Sequence, residues 1–145
     1  MASDADGAPP TYPMPIEMGK VREFARATGS ESASYLEDPA PPIPVTFLRT
    51  SAFWEPRSWA SPMAGLGLNL RRILHGEEEF VFFGKPPRAG DTLAVSTRLE
   101  SVAEKQGRRG GAMRVIVTVK DFTDESGRLV AQSRSTLIET GKAPE

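Results

Sequence analysis

The feature that most constrains the fold is an alternation of apolar and polar side chains along the second half of the chain. In the first stretch, one face of the predicted strand carries Leu93, Val95, Thr97 and Leu99. In the second stretch, the residues predicted to face inward are Met113, Val115, Val117 and Val119. In the third stretch, they are Leu129, Ala131, Ser133, Ser135 and Leu137. Glycine-containing loops at 107–111 and 123–127 separate them. A period of two is typical of half-buried strands, so we expect an antiparallel meander with Arg114, Thr118 and Lys120 facing outward.

A further strand is predicted just before this meander. The only histidine of the chain, His75, opens a charged segment that leads into the apolar block Phe80–Phe83. The segment 84–91 that follows is so rich in glycine and proline that a strand cannot continue through it. A short apolar run between turn signals indicates a buried strand.

Two helices are predicted in the first half of the chain. Residues 16–28 carry Val21, Phe24 and Ala25 on one face, and Gly29 is a suitable C-cap. A second, core helix is expected from about Val45 to Glu55, where Pro56 ends it. Residues 1–15 are small, polar and proline-rich, and are expected to be a flexible lead-in to a single α+β domain at 16–141.

Composition excludes several classes of function. The 18 basic and 19 acidic residues nearly balance, which argues against nucleic acid or a membrane surface as partner. The absence of cysteine excludes disulfides and thiolate chemistry, and a single histidine makes a metal site unexpected. No apolar run is long enough to span a bilayer, and no secretory signal is recognisable. We therefore expect a cytoplasmic protein.

The stretch LHGEEEF…KP…RAGD, which starts at Leu74 and ends at Asp91, resembles a known family. It is similar to the non-catalytic, N-terminal type of MaoC-like dehydratase/hydratase domain, over roughly residues 16–141. That family includes one subunit of mycobacterial-type hydroxyacyl-ACP dehydratases and the N-terminal half of peroxisomal (R)-specific enoyl-CoA hydratase. The resemblance implies a hot-dog fold, in which an antiparallel sheet wraps a long central helix. Residues 44–48 and 133–138 are also similar to the family.

The catalytic pattern of the family is missing from this chain. Catalytic MaoC-like halves have Gly-Asp-x-Asn-Pro-x-His after the first helix, and its Asp and His are the acid/base pair. Here residues 29–35 read GSESASY, with Ser30 in place of the Asp and Tyr35 in place of the His. Neither side chain is a good base near neutral pH. We therefore predict no catalytic residue, although Glu31 remains a candidate for a displaced base.

The resemblance implies binding sites for an acyl chain and for its carrier. The predicted substrate-binding residues are Thr46, Phe47, Phe53, Trp54, His75 and Gly76. The aromatic side chains are equally compatible with a core helix, and His75 with a structural role at a strand start. Glu77, Glu78 and Glu79 are expected to be solvated. We expect the phosphates of coenzyme A, or an acidic carrier protein, to bind to Lys85, Arg88, Arg108 and Arg109. These four residues could equally be solvated loop charges.

Three functions are compatible with these observations. The first is the non-catalytic, acyl-chain-binding subunit of a (3R)-hydroxyacyl-thioester dehydratase or (R)-specific enoyl-CoA hydratase, paired with a catalytic MaoC-like chain. The second is a homo-oligomeric hot-dog acyl-CoA thioesterase that uses Glu55 or Glu31. The third is a homodimeric acyl-binding scaffold without chemistry. In each, the substrate is carried on CoA or acyl carrier protein, and no covalently bound cofactor is expected.

Overall fold

The computed structural model of the chain describes residues 9–107 and 111–141. One antiparallel sheet has the strand order β1-β3-β4-β5-β2. Its strands are β1 (Thr11–Pro15), β2 (Ile73–Phe82), β3 (Thr92–Gly107), β4 (Gly111–Thr123) and β5 (Leu129–Glu139). The predicted meander is therefore confirmed, with β2 added at one edge of the sheet and β1 at the other.

The helices are few and short. In the part of the chain that the structure describes, two are α-helices, α1 (Met18–Ala27) and α2 (Ala33–Leu36), and three are 3₁₀ helices: Phe47–Phe53, Ala64–Leu66 and Leu70–Arg72. The predicted first helix is confirmed as α1, which is followed by Gly29 at a φ of 76°. That left-handed conformation suits glycine, as expected for the position after a C-cap.

The long central helix of the hot-dog prediction is wrong for this chain, although the hot-dog class is confirmed. In its place lies the seven-residue central 3₁₀ helix Phe47–Phe53, which buries Phe47, Leu48 and Ser51. Thr50 Oγ1 donates to the Phe47 carbonyl at 2.7 Å. Pro44 and Pro56 bound the segment on either side. Because proline breaks a helix interior, the segment cannot continue as a helix past Glu55.

The flexible lead-in predicted for residues 1–15 is wrong for residues 11–15, which form β1. This strand pairs with residues 92–96 of β3, and it buries Tyr12 and Met14 with 1% and 0% of their surface exposed. Pro13 and Pro15 are tolerated because β1 is an edge strand, which forms backbone hydrogen bonds to only one neighbouring strand. The folded domain thus includes residues before Ile16, while residues 1–8 lie outside the described part of the chain.

The orientation predicted for β4 is also wrong. Its inner face, which is the face toward the helices, carries Ile116, Thr118, Lys120 and Phe122. The valines at 115, 117 and 119 face the other side of the sheet. Both faces of β4 carry apolar residues, so alternation alone does not decide between them, and a shift of one residue exchanges the faces.

The hydrophobic core occupies one half of the inner face. Phe122 lies opposite Val95 on β3 and Ala131 on β5, and all three have no exposed surface. Phe47 of the central 3₁₀ helix meets Phe24 of α1 edge-on, with ring centroids 5.4 Å apart. Trp54 and Trp59 pack against the same cluster from the loop that follows. The aromatic residues thereby fix the central 3₁₀ helix over this half of the sheet.

None of the helices within residues 9–107 and 111–141 is long and apolar enough to cross a membrane. The cytoplasmic location stays a prediction.

A buried carboxylate ties the segment before β2 to the end of the sheet. Glu139 is 4% exposed and accepts hydrogen bonds from the Asn69 N–H at 2.8 Å and from Arg114 Nε at 2.7 Å. Arg72 reaches the same carboxylate at 3.2 Å, and Arg114 also donates to the Leu66 carbonyl at 2.9 Å. The Asn69 N–H and the Arg114 guanidinium hold the pKa of Glu139 below its usual range.

We expect Glu139→Gln to destabilise the protein at neutral pH and to have a progressively smaller effect in acid. Because folding lowers the pKa of Glu139, its charge contributes stability above the pKa of an unfolded glutamate, about 4.3, and this contribution is lost as the pH falls further. Urea unfolding of wild type and variant between pH 7 and pH 3 measures this. The control variant Glu31→Gln, at an exposed position, should have the same stability as wild type at each pH. A difference in unfolding free energy between Glu139→Gln and wild type that stays constant with pH would contradict the expectation.

Candidate functional site

A cavity of about 260 Å³ lies between the central 3₁₀ helix with its following loop and the part of the inner face that the core leaves uncovered. We call it the polar groove. The helix and loop contribute Arg49, Ala52, Glu55, Trp59, Ser61, Pro62 and Met63, and the sheet contributes Glu78, Thr97, Thr118, Lys120, Ser133, Ser135 and Leu137. Because the central 3₁₀ helix has only seven residues, this part of the sheet stays open.

The register of the strands explains why the groove is polar. Lys120 lies opposite Thr97 on β3 and Ser133 on β5. One row further along, Ser135 lies between Thr118 on β4 and Glu78 on β2. These two rows directly follow the apolar row of Val95, Phe122 and Ala131. These two rows give the groove its polar side chains, while Ala52, Trp59, Met63 and Leu137 give it apolar surface.

Lys120 is the central charge of the groove. Its ammonium lies 3.2 Å from Tyr12 Oη, 3.4 Å from Ser51 Oγ and 3.4 Å from Glu55 Oε2. The Lys120 side chain is 16% exposed and that of Glu55 is 32% exposed. A half-buried lysine requires such partners, because an isolated charge in this position would be costly.

The only histidine lies at the rim of the groove, on the edge strand β2. His75 Nε2 is 3.0 Å from Glu78 Oε2 and 3.3 Å from Ser135 Oγ. Both partners of His75 are side chains, and its contact with a substrate stays a prediction. Glu77 and Glu79 are exposed as expected, but the Glu78 side chain is only 15% exposed and lines the groove.

Gly76 shapes this rim, because the register of β2 on β5 shifts between His75 and Glu77. A Cβ at Gly76 would lie 3.0 Å from Ile138 Cδ1 and 3.3 Å from the Thr136 carbonyl. The bulge therefore brings the backbone close to β5, where only glycine fits without displacement.

The aromatic residues predicted to line an acyl tunnel do not line the polar groove. Phe47 is 1% exposed in the core, and Trp54 packs against the same core. Phe53 is 81% exposed, and Thr46 is exposed at the start of the central 3₁₀ helix. The core interpretation describes the position of Phe47, while contact of these four residues with a substrate stays a prediction.

Two of the cations predicted to bind phosphate, Lys85 and Arg88, line a second cavity, of about 420 Å³, together with Asp91 and Asp124. Arg88 Nη2 is already paired with Asp38 Oδ2 at 2.5 Å. The Ala40 N–H, with Arg88, lowers the pKa of Asp38. Lys85 has no ion pair within the described residues. Arg108 and Arg109 lie outside them, so the phosphate site stays a prediction.

The replaced catalytic positions are separate from the groove. Ser30 follows α1, Tyr35 lies within α2, and Glu31 is exposed between them. None of the three lines the polar groove, whereas Glu55 does. Among the described residues, no cluster of three His, Asp or Glu side chains could hold a metal ion.

Sequence analysis did not identify Lys120, Thr97 and Glu78 as residues of one site. Each lies on a different strand, and only the strand pairing brings them together. The one signal in the sequence was the lysine on a strand that alternates with valines, but the expected orientation of β4 placed Lys120 in solvent.

Comparison with known proteins agrees with this architecture. Residues 8–133 match the family described as FAS1-like, dehydratase domain region. A UPF0336 protein of Parafrankia sp. (strain EAN1pec) is 33% identical in an alignment of 149 positions that covers 92% of this chain and 91% of that protein. A chain of the C-terminally truncated HadBC (3R-hydroxyacyl-ACP dehydratase) complex from Mycobacterium tuberculosis is 26% identical with a TM-score of 0.68, covering 95% of this chain and 99% of that chain.

A further solved structure, described as a MaoC-like dehydratase, is 25% identical with a TM-score of 0.72. The match covers 91% of this chain but only 40% of that longer chain. The resemblance to MaoC-like hot-dog domains noted in the sequence is thus confirmed by sequence and by fold. The chain belongs to the family of FAS1-like dehydratase domains.

Proposed function

We propose that this chain is the non-catalytic, acyl-binding subunit of a (3R)-hydroxyacyl-thioester dehydratase or (R)-specific enoyl-CoA hydratase. One observation carries the proposal. The chain matches, over almost its full length, a chain of a two-chain hydroxyacyl-ACP dehydratase, yet it has Ser30 and Tyr35 where catalytic MaoC-like halves have Asp and His. Elimination of water needs a base for the α-proton and an acid for the leaving hydroxyl. A catalytic partner would supply both groups.

The open edge of β2 is where we place that partner. The Phe83 N–H donates to the Val130 carbonyl on β5 at 2.9 Å. Backbone N–H groups along a strand point alternately to its two sides, so those of Phe82 and Phe80 point away from β5. Leu70 and Leu74, just before and within β2, are 83% and 44% exposed. Unpaired strand edges with nearby apolar side chains favour addition of another strand. A partner strand here would lie next to His75 and the rim of the polar groove.

The substrate is proposed to be an acyl thioester of CoA or of acyl carrier protein. The acyl group would occupy the polar groove, and the carrier phosphates would meet Lys85. Arg88 could contribute only by exchanging its bond to Asp38 for one to phosphate. No metal or covalently bound cofactor is part of this proposal.

The test is co-expression with a MaoC-like chain of the same organism that carries the Gly-Asp-x-Asn-Pro-x-His pattern. We expect a stable heteromer that hydrates 2-octenoyl-CoA, while this chain alone shows no hydration above buffer. Size-exclusion chromatography with activity measured on the same fractions gives both results. Enzyme-like hydration by this chain alone would refute the non-catalytic role.

A thioesterase is the second candidate, because Glu55 lies in the polar groove, where it could activate water. It is held 3.4 Å from Lys120. If the protein is a thioesterase, the chain alone releases free CoA from acyl-CoA, and Glu55→Gln abolishes the release while Glu31→Gln does not. No release by the wild-type chain across acyl lengths from four to sixteen carbons would exclude this activity.

A further inference from the structure

The polar groove has a roof, which is the central 3₁₀ helix with its following loop, and a floor, which is the inner face of the sheet. On the side of β1 the two touch, because Trp59 of the roof meets Tyr12 edge-on with ring centroids 4.9 Å apart. On the opposite side the lining includes Glu78, which lies on the edge strand β2. A chain-like ligand would therefore enter from the β2 side, next to the edge where we place the catalytic partner.

The roof turns one row of side chains toward the groove. Arg49, Ala52 and Glu55 are three residues apart and all line the cavity, as expected for a helix with about three residues per turn. The Glu55 N–H still donates to the Ala52 carbonyl, at 3.4 Å. Because the chain continues from Glu55 to Trp59 at the β1 side, Glu55 is the member of this row farthest from the entrance. Ala52 lies one turn closer to it.

An ion pair joins the roof to the floor at this inner end. Glu55 Oε2 lies 3.4 Å from Lys120 Nζ, and Ser51 Oγ of the central 3₁₀ helix lies 3.4 Å from the same ammonium. We call the ion pair the Lys120–Glu55 bridge. A ligand that passed it would separate two charges whose side chains are only 16% and 32% exposed, which is costly. The bridge is therefore the inner wall of the groove.

An alkyl chain fits in front of this wall without breaking hydrogen bonds. Lys120 keeps its three partners when a chain covers it, and Ser135 keeps its contact with His75. The chain would lie against apolar surface from Ala52, Met63 and Leu137. Burial of its methylene groups therefore favours binding and leaves the polar contacts of the lining intact.

The volume of the groove limits the length of this chain. A cavity of about 150 Å³ holds one benzene molecule, which is about 25 Å³ for each carbon atom. On this scale the groove, at about 260 Å³, holds about ten carbons. We propose that the polar groove binds the acyl chain of medium-chain thioesters and that the Lys120–Glu55 bridge sets the upper limit of chain length. The inference rests on the proposed function and specifies its substrate class.

The test measures binding of saturated acyl-CoAs with four to sixteen carbons to the purified complex by isothermal titration calorimetry, below the onset of micelle formation. We expect the affinity to rise about fourfold with each added methylene while the groove fills. The rise should stop at about twelve carbons, because about ten fill the groove and the carbons next to the thioester lie beside the partner. An affinity that still rises at sixteen carbons, or that does not depend on chain length, would overturn the proposal.

Two variants should move this limit in opposite directions. Glu55→Ala removes the roof half of the bridge and leaves Lys120 two of its three contacts, so the limit should increase by about two carbons on the same volume scale. Ala52→Phe fills the groove one turn closer to the entrance, so the limit should decrease. The control Glu23→Ala, at a side chain of α1 that is 70% exposed, should keep the wild-type limit.

An unchanged limit in Glu55→Ala would overturn the role of the bridge, and an unchanged limit in both folded variants would place the acyl chain outside the groove. Hydration of 2-octenoyl-CoA by the same complex separates this inference from the proposed function. Hydration without any length limit overturns the inference alone. A limit that moves in both variants without hydration supports the inference and refutes the proposed reaction. If the two chains do not associate, the same titrations of this chain alone decide the inference.

Discussion

Phe122→Ala is expected to lower the free energy of unfolding by about 3–5 kcal/mol, the usual range for removal of a buried phenylalanine side chain. Phe122 has no exposed surface and lies between Val95 and Ala131 in the apolar row of the inner face. These neighbours belong to a sheet and cannot collapse into the cavity that alanine would leave. The total free energy of unfolding of a domain of this size is about 5–15 kcal/mol, so this loss would bring the variant close to unfolding.

Urea unfolding followed by tryptophan fluorescence measures this loss. Both tryptophans of the chain, Trp54 and Trp59, pack against the core and report on its integrity. Phe53→Ala is the matched control, because the same substitution at a side chain that is 81% exposed should change the stability by no more than about 0.5 kcal/mol. Equal losses for the two variants would contradict the described core.

The elements that sequence predicted well are those with one clear periodicity. α1 has a single apolar face and a glycine after its C-cap, and both local signals agree with its position in the fold. On β3 and β5, the residues predicted inward include Leu93, Val95 and Ala131, all of which are core residues. The resemblance at 74–91 then supplied the family, which composition and periodicity alone could not.

Elements whose local signals conflict with their tertiary environment were predicted poorly. The prolines of β1 indicated a flexible segment, but pairing with β3 and burial of Tyr12 and Met14 outweigh them. The segment 45–55 has helical spacing, but it forms a seven-residue 3₁₀ helix, Phe47–Phe53. For β1, the deciding contact is a strand pairing that the local pattern does not contain.

The polar groove could not be predicted, because it depends on the register of four strands. Thr97, Lys120 and Ser133 are separated by more than ten residues at each step and become neighbours only when β3, β4 and β5 pair as they do. A shift of one residue in β4 would place Lys120 in solvent, which is the orientation the sequence favoured. The residues of this site therefore follow only from the pairing of the strands.

The double variant Leu70→Glu/Leu74→Glu is expected to weaken association with the catalytic partner by 100-fold or more, about 3 kcal/mol. Both leucines lie at the β2 edge and are largely exposed in the isolated chain, at 83% and 44%. Association by strand addition at β2 would bury them, and two glutamates there would lose their hydration without gaining partners. Because the positions are exposed in the free chain, its own stability should change by only about 0.5 kcal/mol.

Biolayer interferometry of the immobilised partner, with urea unfolding of the free variants, separates binding from folding. Val102→Glu is the control, because Val102 is also an exposed apolar residue, at 40%, but lies on β3, which β4 and β5 separate from β2. We expect Val102→Glu to bind the partner like wild type. Unchanged binding by the double variant, or loss of binding by the control, would exclude β2 as the docking edge, and the groove rim at His75 would then have no partner beside it.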